Sequence, residues 1–526
     1  MSFEIVFVMV ALMGMVCALI WDKMRPGMIL LSVCVAFLCV GILTPKEMLE
    51  GFSNKGMITV AMLFLVSEGV RQSGALSHVI KKILPQENTT IFKAQLRMLP
   101  SIAFISAFLN NTPVVVIFAP IIKRWARSVQ LSATKFLIPL SYMTILGGLC
   151  TLIGTSTNLV VHGMMIEAGF KGLGMFDLAW VGLPITLVGA LYIFLASKKL
   201  LPDERNNTGI SEDELDTEDD RHQVEVVIGP RFPGINKTLK EFNFRRHYGA
   251  EVREIKRNGK VISSGFGKET MCEGDTLVLM ADESFVKTWG DSSVFLMIAN
   301  GEDVEPQAGK KKRLFALVLL LMMIIGATIG ELPFFNEHFP SLKLDMFFFA
   351  SVTMVIMAWT NLFPARKYTK YISWDILITI ACAFAISKAM TNSGLADLIA
   401  KSFIDVSTHF SPGSQIGPYI LLGLLYLISN IITALITNNA AAALCFPLAL
   451  SIASQLGVNP MPFFIAICVS ASADFSTPIG YQTNLIVQGI GNYKFMDFVR
   501  IGVPLNLLCL LISVIIIPLV WPFELI

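Results

Sequence analysis

The chain has 526 residues, of which 54% are hydrophobic and 15% are charged, and its formal net charge is +2. This composition is too apolar for a soluble globular protein, so we expect a polytopic membrane protein. The near-neutral charge gives no indication of a nucleic-acid partner. The first apolar run, residues 3–20, lacks a basic start and a small-residue cleavage site, which favours an uncleaved first span over a signal peptide.

Apolar runs near the roughly 20 residues that cross a bilayer recur in both halves of the chain. They begin near residues 3, 27, 57, 136 and 178, and again near 314, 344, 374, 463 and 501. Between the third and fourth run of each half lies a further apolar stretch with an Asn-Asn pair at its middle, at 95–122 and 417–453. We interpret each stretch as two half-helices that form a re-entrant hairpin. Five crossings per half is an odd number, so the halves must insert with opposite orientations, as in many secondary transporters.

The two halves also contain similar and unusual sequence motifs. In the first half "LNNTPVVVIFAP" is followed by "TLIGTSTNLVVHG", and in the second half "ITNNAAAALCFP" is followed by "STPIGYQTNLIVQG". Asn111 and Asn438 lie 327 residues apart, and Asn158 and Asn484 lie 326 residues apart. The duplication predicts an all-α polytopic membrane protein with two inverted repeats of five spans plus one re-entrant hairpin each, and a small cytoplasmic α+β insert.

The predicted boundaries follow from these patterns. The first membrane repeat is 1–199, with its hairpin at 95–127 and a broken helix at 136–165. The second membrane repeat is 314–526, with its hairpin at 417–454 and a broken helix at 463–490. Cytoplasmic loops are enriched in Lys and Arg, and placing Lys23, Lys198 and Lys310–Arg313 inside predicts a cytoplasmic insert with both termini outside. The compartment is then a cell membrane, either a plasma membrane or a bacterial inner membrane.

The insert has a different character from the membrane repeats. An acidic linker at 200–220 precedes a module at 221–300, and a basic linker at 301–313 follows it. Short strands are predicted at "QVEVVIG", "GAEVREIKRNGKVI" and "GDTLVLMAD", and a helix at "NKTLKEFNFRRHY". Turns are predicted at Asn258-Gly259 and Gly274-Asp275.

The module resembles the TrkA-C (RCK C-terminal) domain. The residues that carry this resemblance are Val224, Gly234, Leu239, Arg257-Asn258-Gly259 and Glu273-Gly274-Asp275-Thr276-Leu277. Such a domain binds a small regulatory ligand, or it serves to hold two subunits together or to space them. No Gly-x-Gly-x-x-Gly follows a strand here and no P-loop pattern occurs, so the sequence indicates neither nucleotide binding nor ATP-driven transport.

The hairpin tips and helix breaks are the candidate site. The tips supply amide and hydroxyl dipoles from Asn110-Asn111-Thr112 and Thr437-Asn438-Asn439. The breaks interrupt apolar runs with Gly, Thr and Pro, which tolerate or force unwinding, at 154–158 and 477–484. Freed carbonyls with Asn and Thr oxygens form a neutral cage that suits Na⁺, whereas half-helix N-termini present N–H groups to an anion. The motifs contain no basic side chain, so sodium coupling follows naturally for a divalent anion.

These paired motifs resemble the divalent anion:sodium symporter family, the solute carrier family 13 type, within the ion transporter superfamily. That family has Ser-Asn-Thr at both tips; this chain keeps the central Asn twice and Thr112 once, and departs from the pattern at Asn110, Thr437 and Asn439. The departures leave the choice of anion and the number of sodium ions open. The resemblance implies sulfate, C4-dicarboxylate or citrate transport by a homodimer with an elevator-like motion, and this chain looks most like the sulfate-type members.

Site residues are carried over from that resemblance position by position. One sodium site comprises Asn110, Asn111, Gly154 and Asn158, and the other comprises Thr437, Asn438, Gly480 and Asn484. The residues implied to face the anion are Asn111, Thr112, Thr155, Asn438 and Asn439.

Asp474 carries an intramembrane charge just before the second break. Such charges are costly, and this one is a candidate cation ligand or proton-coupled carboxylate, or a charge that faces an aqueous vestibule. It keeps open a second hypothesis, a sodium/proton antiporter or another cation transporter regulated by the TrkA-C-like domain. No nucleophile–base constellation and no transition-metal ligand spacing occurs, so we expect neither an enzyme nor a resident cofactor. The expected partners are the anion, Na⁺, lipid and a second copy of the chain.

Overall fold

The structure is a computed structural model that describes residues 2–21, 24–85, 89–203, 221–229, 231–263, 265–289, 294–300, 309–330, 343–410 and 417–525. Most of the predicted acidic linker and residues 301–308 of the predicted basic linker lie outside the described residues. The described parts of the two membrane repeats are helical, and the insert contains the sheet.

The first half of the chain is a series of helices. They are α1 Phe3–Trp21, α2 Pro26–Val40, α3 Pro45–Glu50, α4 Lys55–Gln72, α5 Ala75–Ile83, α6 Ile91–Ser106, α7 Asn111–Ser128, α8 Thr134–Gly148, α9 Ser156–Glu167 and α10 Ala179–Leu200. Helices α6 and α7 are the two arms of the predicted hairpin, joined at Ala107–Asn110. The predicted broken helix is divided into α8 and α9, and the segment between them holds Gly154 and two threonines, Thr151 and Thr155.

The insert is a five-stranded antiparallel sheet with short helices. Its elements are β1 Arg221–Ile228, α11 Leu239–Phe242, α12 Phe244–Tyr248, β2 Glu251–Arg257, β3 Lys260–Ile262, β4 Thr276–Asp282, α13 Glu283–Trp289 and β5 Phe295–Asn300. The strand order is β3-β2-β4-β1-β5. Asn258 and Gly259 both have positive φ, as a two-residue hairpin turn between β2 and β3 requires.

Two features of the insert differ from the sequence prediction. The single helix predicted at 236–248 is two helices, because Asn243 adopts a left-handed conformation with φ of 57° that ends α11. Strand β5 was not predicted, and it pairs with β1 at the sheet edge.

The second half repeats the first. Its helices are α14 Lys310–Gly330, α15 Met346–Trp359, α16 Tyr368–Tyr371, α17 Trp374–Ser393, α18 Leu395–Phe410, α19 Gly417–Leu435, α20 Asn438–Leu456, α21 Met461–Ser472, α22 Gln482–Gly491 and α23 Phe495–Val520. Helices α19 and α20 are the hairpin arms, and α21 and α22 are the two parts of the broken helix.

Among the described residues, eight helical segments are long and apolar enough to cross a membrane, which confirms a polytopic membrane protein. This number differs from the ten predicted spans. The breaks leave α8, α9, α21 and α22 each too short to cross alone, and α2 and α15 are also short. Conversely, both arms of the second hairpin are long enough to cross a membrane. In α20, however, 78% of the apolar segment is buried inside the protein.

Contacts between the halves are reciprocal. Helix α2 packs on α17 while its counterpart α15 packs on α4, and α7 packs on α22 while α20 packs on α9. Helices α10 and α23, which are equivalent in the duplication, pack directly on each other. Reciprocal contacts of this kind are those of two units related by a two-fold axis. The duplication in the sequence is therefore a pseudo-two-fold in the fold.

Equivalent glycines bring the last helix of each half against the break. Gly182 in α10 lies against the backbone of Leu149, and Gly502 in α23 lies against the backbone of Phe475. At both positions an added Cβ would collide with a carbonyl group. Helix packing thus depends on these residues having no side chain.

We expect Gly502→Ala to lower the free energy of unfolding by about 1 to 3 kcal/mol, because the methyl group overpacks against rigid backbone. The measurement is thermal unfolding of purified protein in detergent. Gly14→Ala in α1 is the matched control, since no atom lies within 4 Å of an added Cβ there. Equal melting temperatures for the two variants would contradict the packing argument.

The insert is docked on the helices that carry the hairpin and the second break. In β1, Val226 and Ile228 face the core of the insert whereas Val227 joins the core of the membrane part, as strand alternation dictates. Gly489 of α22 lies close to Gly274, with 3.0 Å between its added Cβ and the Gly274 carbonyl oxygen. The Gln488 amide donates to Asn258 Oδ1 at 3.0 Å.

A buried charge cluster holds this interface. Glu225 in β1 accepts from Lys123 Nζ of α7 at 2.7 Å and from Lys256 Nζ of β2 at 2.9 Å. Lys123 also donates to the Ile490 carbonyl at 3.1 Å. Burial raises the pKa of Glu225, but the two lysines lower it more, so the pKa lies well below its ordinary value.

The lowered pKa makes the docking pH-dependent. The stabilisation by Glu225 is present above its unfolded pKa of about 4.3 and is lost as the pH falls through the lower folded value. At neutral pH we expect Glu225→Gln to destabilise the docked insert by about 3 to 5 kcal/mol, because Lys123 is left buried without its counter-charge. Hydrogen exchange of β1 measures this. Glu251→Gln, whose carboxylate lies 4.0 Å from Arg253 on a more exposed pair, should leave the exchange unchanged.

Candidate anion and cation site

Each helix break is held by one buried asparagine. The Asn158 amide donates to the Thr151 carbonyl at 2.9 Å and to the Gly148 carbonyl at 3.4 Å. In the second half the Asn484 amide donates to the Thr477 carbonyl at 2.9 Å and to the Asp474 carbonyl at 3.0 Å. Both asparagines are fully buried. They satisfy carbonyls that the broken helices leave free, which is why non-helical backbone persists at these points.

The hairpin tips repeat a second hydrogen bond. The Ser106 hydroxyl at the end of α6 lies 2.8 Å from the Asn111 amide, and the Thr433 hydroxyl near the end of α19 donates to Asn438 Oδ1 at 2.9 Å. The Asn111 amide is best satisfied with its nitrogen donating to the Gly154 carbonyl at 3.3 Å and its oxygen accepting from the Tyr481 hydroxyl. Asn111 therefore joins one hairpin tip to both breaks.

Further hydrogen bonds cross between the repeats, at positions that are equivalent in the duplication. Thr112 Oγ1 donates to Gln482 Oε1 at 3.3 Å. The Ser156 hydroxyl donates to Asn439 Oδ1 at 3.2 Å, and the Thr157 hydroxyl donates to the same atom at 3.4 Å. Each tip thus touches the break of the other repeat, and the four polar segments form one network.

Four helix N-termini converge in this network. Helices α7, α9, α20 and α22 begin at Asn111, Ser156, Asn438 and Gln482, and none of them has a side-chain hydrogen bond from its N-cap residue. Other helices, such as α2, α5 and α8, also lack a side-chain cap, so what distinguishes these four is that their N-termini lie together. Uncapped N–H groups and the positive ends of helix dipoles can bind an anion without any basic side chain.

Two buried oxygens lie at the first break and at the second hairpin tip. Among the described residues, Asn158 Oδ1 and Thr437 Oγ1 have no hydrogen-bond partner. An orphaned buried oxygen is costly unless a donor or a cation satisfies it. Neutral amide, hydroxyl and carbonyl oxygens are suited to Na⁺. The described residues contain no group of three or more His, Cys, Asp or Glu side chains placed to hold a metal ion.

The predicted site residues occupy distinct places in this arrangement. Asn111, Thr112, Thr155, Asn438 and Asn439 lie at the tips and breaks, and Gly154, Asn158, Gly480 and Asn484 line the breaks. Asn110 and Thr437 are the N-cap residues of α7 and α20. Asp474 is fully buried and bonds the hydroxyl of Thr477 at 3.1 Å.

Sequence reasoning missed several contributors. Tyr481 and Gln482 occupy the positions equivalent to Thr155 and Ser156, so the duplication itself is a signal that could have identified them. Ser141 in α8 is a third, because its hydroxyl donates to Asn484 Oδ1 at 2.7 Å. Nothing in the local sequence of α8 marks Ser141.

A model of citrate transporters matches residues 16–442 and 413–525 of the chain. A Synechocystis protein described as an uncharacterized transporter is 29% identical over 578 residues, 94% of this chain and 93% of its own length. Sodium/sulfate cotransporter 1 of Chlamydomonas reinhardtii is 33% identical over 270 residues, which are 49% of this chain and 29% of the cotransporter. The sodium-dependent dicarboxylate transporter SdcS of Staphylococcus aureus is 20% identical over 499 residues, 92% of this chain and 80% of its own length.

The chain belongs to the citrate transporter family, and it is a membrane transporter. The resemblance to divalent anion:sodium symporters is confirmed by the named relatives.

We expect Asn158→Ala and Asn484→Ala each to lower the free energy of unfolding by about 1 to 3 kcal/mol in sodium-free buffer, because buried carbonyls at the break lose their donor. Thermal unfolding in detergent measures the loss. Asn392→Ala is the control, since its amide lies on an exposed side chain of α17. Break variants as stable as the control would show that the amides do not hold the breaks.

Proposed function

We propose that this transporter is a sodium-coupled symporter of a small divalent anion, with sulfate the first candidate and a C4-dicarboxylate or citrate the second. The observation that carries the proposal is the convergence of four uncapped helix N-termini at the tips and breaks. The anion lies among Asn111, Thr112, Thr155, Asn438 and Asn439. The names of the sodium/sulfate and sodium-dependent dicarboxylate relatives support the same class.

Sodium supplies the positive charge that the side chains lack. Asn110, Asn111, Gly154 and Asn158 hold one Na⁺, and Thr437, Asn438, Gly480 and Asn484 hold the other. The orphaned oxygens of Asn158 and Thr437 support this assignment, because each lies in one of the two sets. Binding of the cations and the anion is then cooperative, since each offsets the charge of the other.

The tip-to-break contacts favour a compact anion. Thr112 and Gln482 touch at 3.3 Å, and Asn439 and Ser156 touch at 3.2 Å. A C4-dicarboxylate, with charges at two ends, requires these pairs to separate further than sulfate does. This difference supports sulfate as the first candidate.

Alternating access follows from an elevator-like motion of the hairpins and broken helices against the remaining helices. The insert travels with this unit, because Glu225 pairs with Lys123 of the hairpin arm, and the motion breaks the longer hydrogen bond from Arg231 to the Ile372 carbonyl, 3.5 Å in length, just before α17. The insert is cytoplasmic, both termini are outside, and the protein works as a homodimer. Its TrkA-C-like module is the place for a small regulatory ligand.

The test is uptake of labelled sulfate by proteoliposomes with an inward sodium gradient, compared with choline. We expect accumulation that requires sodium and is reduced by competing divalent anions. Sodium/proton exchange centred on Asp474 is the second candidate, and it predicts sodium movement that is independent of any anion. Equal sulfate uptake in sodium and in choline would remove the coupling.

Asn438→Ala sharpens this test. It removes an amide placed in both the anion set and a sodium set, so the concentrations of sodium and of sulfate for half-maximal uptake should rise together. Asn392→Ala serves as the matched control with wild-type values. A rise in only one of the two concentrations would contradict the shared site.

A further inference from the structure

Asp474 is where the two halves of the site differ most. Its equivalent in the duplication is Gly148, and both residues give their carbonyl to the asparagine that holds the break. At Gly148 a side chain has no room, because an added Cβ would lie 2.7 Å from the side-chain amide of Asn111 and 2.9 Å from Thr155 Cγ2. The second repeat has a carboxylate at this position instead.

The Asp474 carboxylate is buried without a counter-charge. It is 0% exposed, and its side-chain partners are the hydroxyls of Thr477 at 3.1 Å and Ser476 at 3.4 Å. Within the described ranges, no Lys, Arg or His lies within 4.0 Å of it as an ion-pair partner. Burying an unpaired charge costs several kcal/mol, and hydroxyl dipoles offset only part of this.

A second acceptor points at the same place. The Thr433 carbonyl oxygen lies 2.7 Å from the position that a Cβ on Gly480 would occupy, and Asp474 Oδ2 lies closer still to that position. The orphaned hydroxyl oxygen of Thr437 lies on the adjoining hairpin tip. The Asp474 carboxylate accepts hydrogen bonds from the hydroxyls and backbone N–H groups of Ser476 and Thr477, but these neutral donors do not supply the positive charge that a bound cation would supply.

We propose that Asp474 is a carboxylate ligand of the cation in the second repeat. This inference rests on the proposed function, since the cation is the sodium ion assigned to Thr437, Asn438, Gly480 and Asn484. The first site then consists of neutral oxygens, whereas the second contains one full negative charge. A monovalent cation at the second site leaves no net charge there. The dianion is then attracted by the cation of the first site and by the helix N-termini. The second site binds sodium at a lower sodium concentration than the first.

Sodium titration of thermal unfolding tests this without transport. The full-length protein in detergent is titrated with sodium chloride against choline chloride at constant ionic strength, with no oxyanion present. The wild type should be stabilised by sodium. Asp474→Asn should need about tenfold more sodium for half-maximal stabilisation, a change of about 1.4 kcal/mol. Without sodium it should be no less stable than the wild type, because the unpaired charge is gone.

Two further variants make the result decisive. Asp474→Glu keeps the carboxylate and should need less sodium than Asp474→Asn, which a purely structural role of the turn does not predict. Asp397→Asn removes a carboxylate that bonds the Ser451 hydroxyl on an exposed part of α18, and should respond like the wild type. A sodium response in Asp474→Asn equal to that of the wild type would overturn the inference alone. No sodium response in the wild type would overturn the proposed function as well.

Discussion

The structure depends on how peptide groups are satisfied where helices break inside an apolar protein. Lipid offers no hydrogen bonds, so every carbonyl that a break releases needs a partner within the chain. Asn158 and Asn484 meet this requirement with the same pair of hydrogen bonds in the two repeats. Once those carbonyls are held, the N–H groups at the following helix starts remain for a ligand. The way the breaks are satisfied thus leaves N–H groups free at the place where we propose that the ligand binds.

In the proposed site, the charge of the anion is offset by helix N-termini and sodium ions and not by basic side chains. A dianion among uncapped helix ends and sodium ions needs no Arg or Lys, and such a site can open and close without exposing a fixed side-chain charge to lipid. The two-fold relation doubles every element of the site, because each tip reaches the break of the other repeat. Apart from Asp474, a cluster of charged side chains near the hairpins and breaks lies at the interface with the insert, where Lys123 and Lys256 flank Glu225.

Much of this could be read from the sequence for a physical reason. A lipid-facing helix does not favour Asn, Gly, Thr and Pro inside an apolar run. Both the hairpin tips and the breaks could therefore be located from the sequence. The structure extends the duplication to contacts that the sequence analysis did not name, such as Ser106 with Asn111 and Thr433 with Asn438.

Other contacts could not be predicted, because they depend on which helices cross. The Asn111–Tyr481 hydrogen bond joins residues 370 positions apart, and Ser141 lies in an otherwise apolar helix. Strand β5 is a short apolar run that periodicity alone does not distinguish from a helix. Asn243 divides the predicted helix of the insert by adopting a φ of 57°, a conformation that Asn tolerates but does not require.

We propose that backbone N–H groups at four helix starts hold the anion while sodium ions bind beside the breaks. A cryo-electron microscopy map of the protein in sodium sulfate would show where both ions bind. We expect anion density bounded by the first turns of α7, α9, α20 and α22, with cation density next to Asn158 and Asp474. Anion density held by a lysine or arginine, or located away from the tips and breaks, would contradict it.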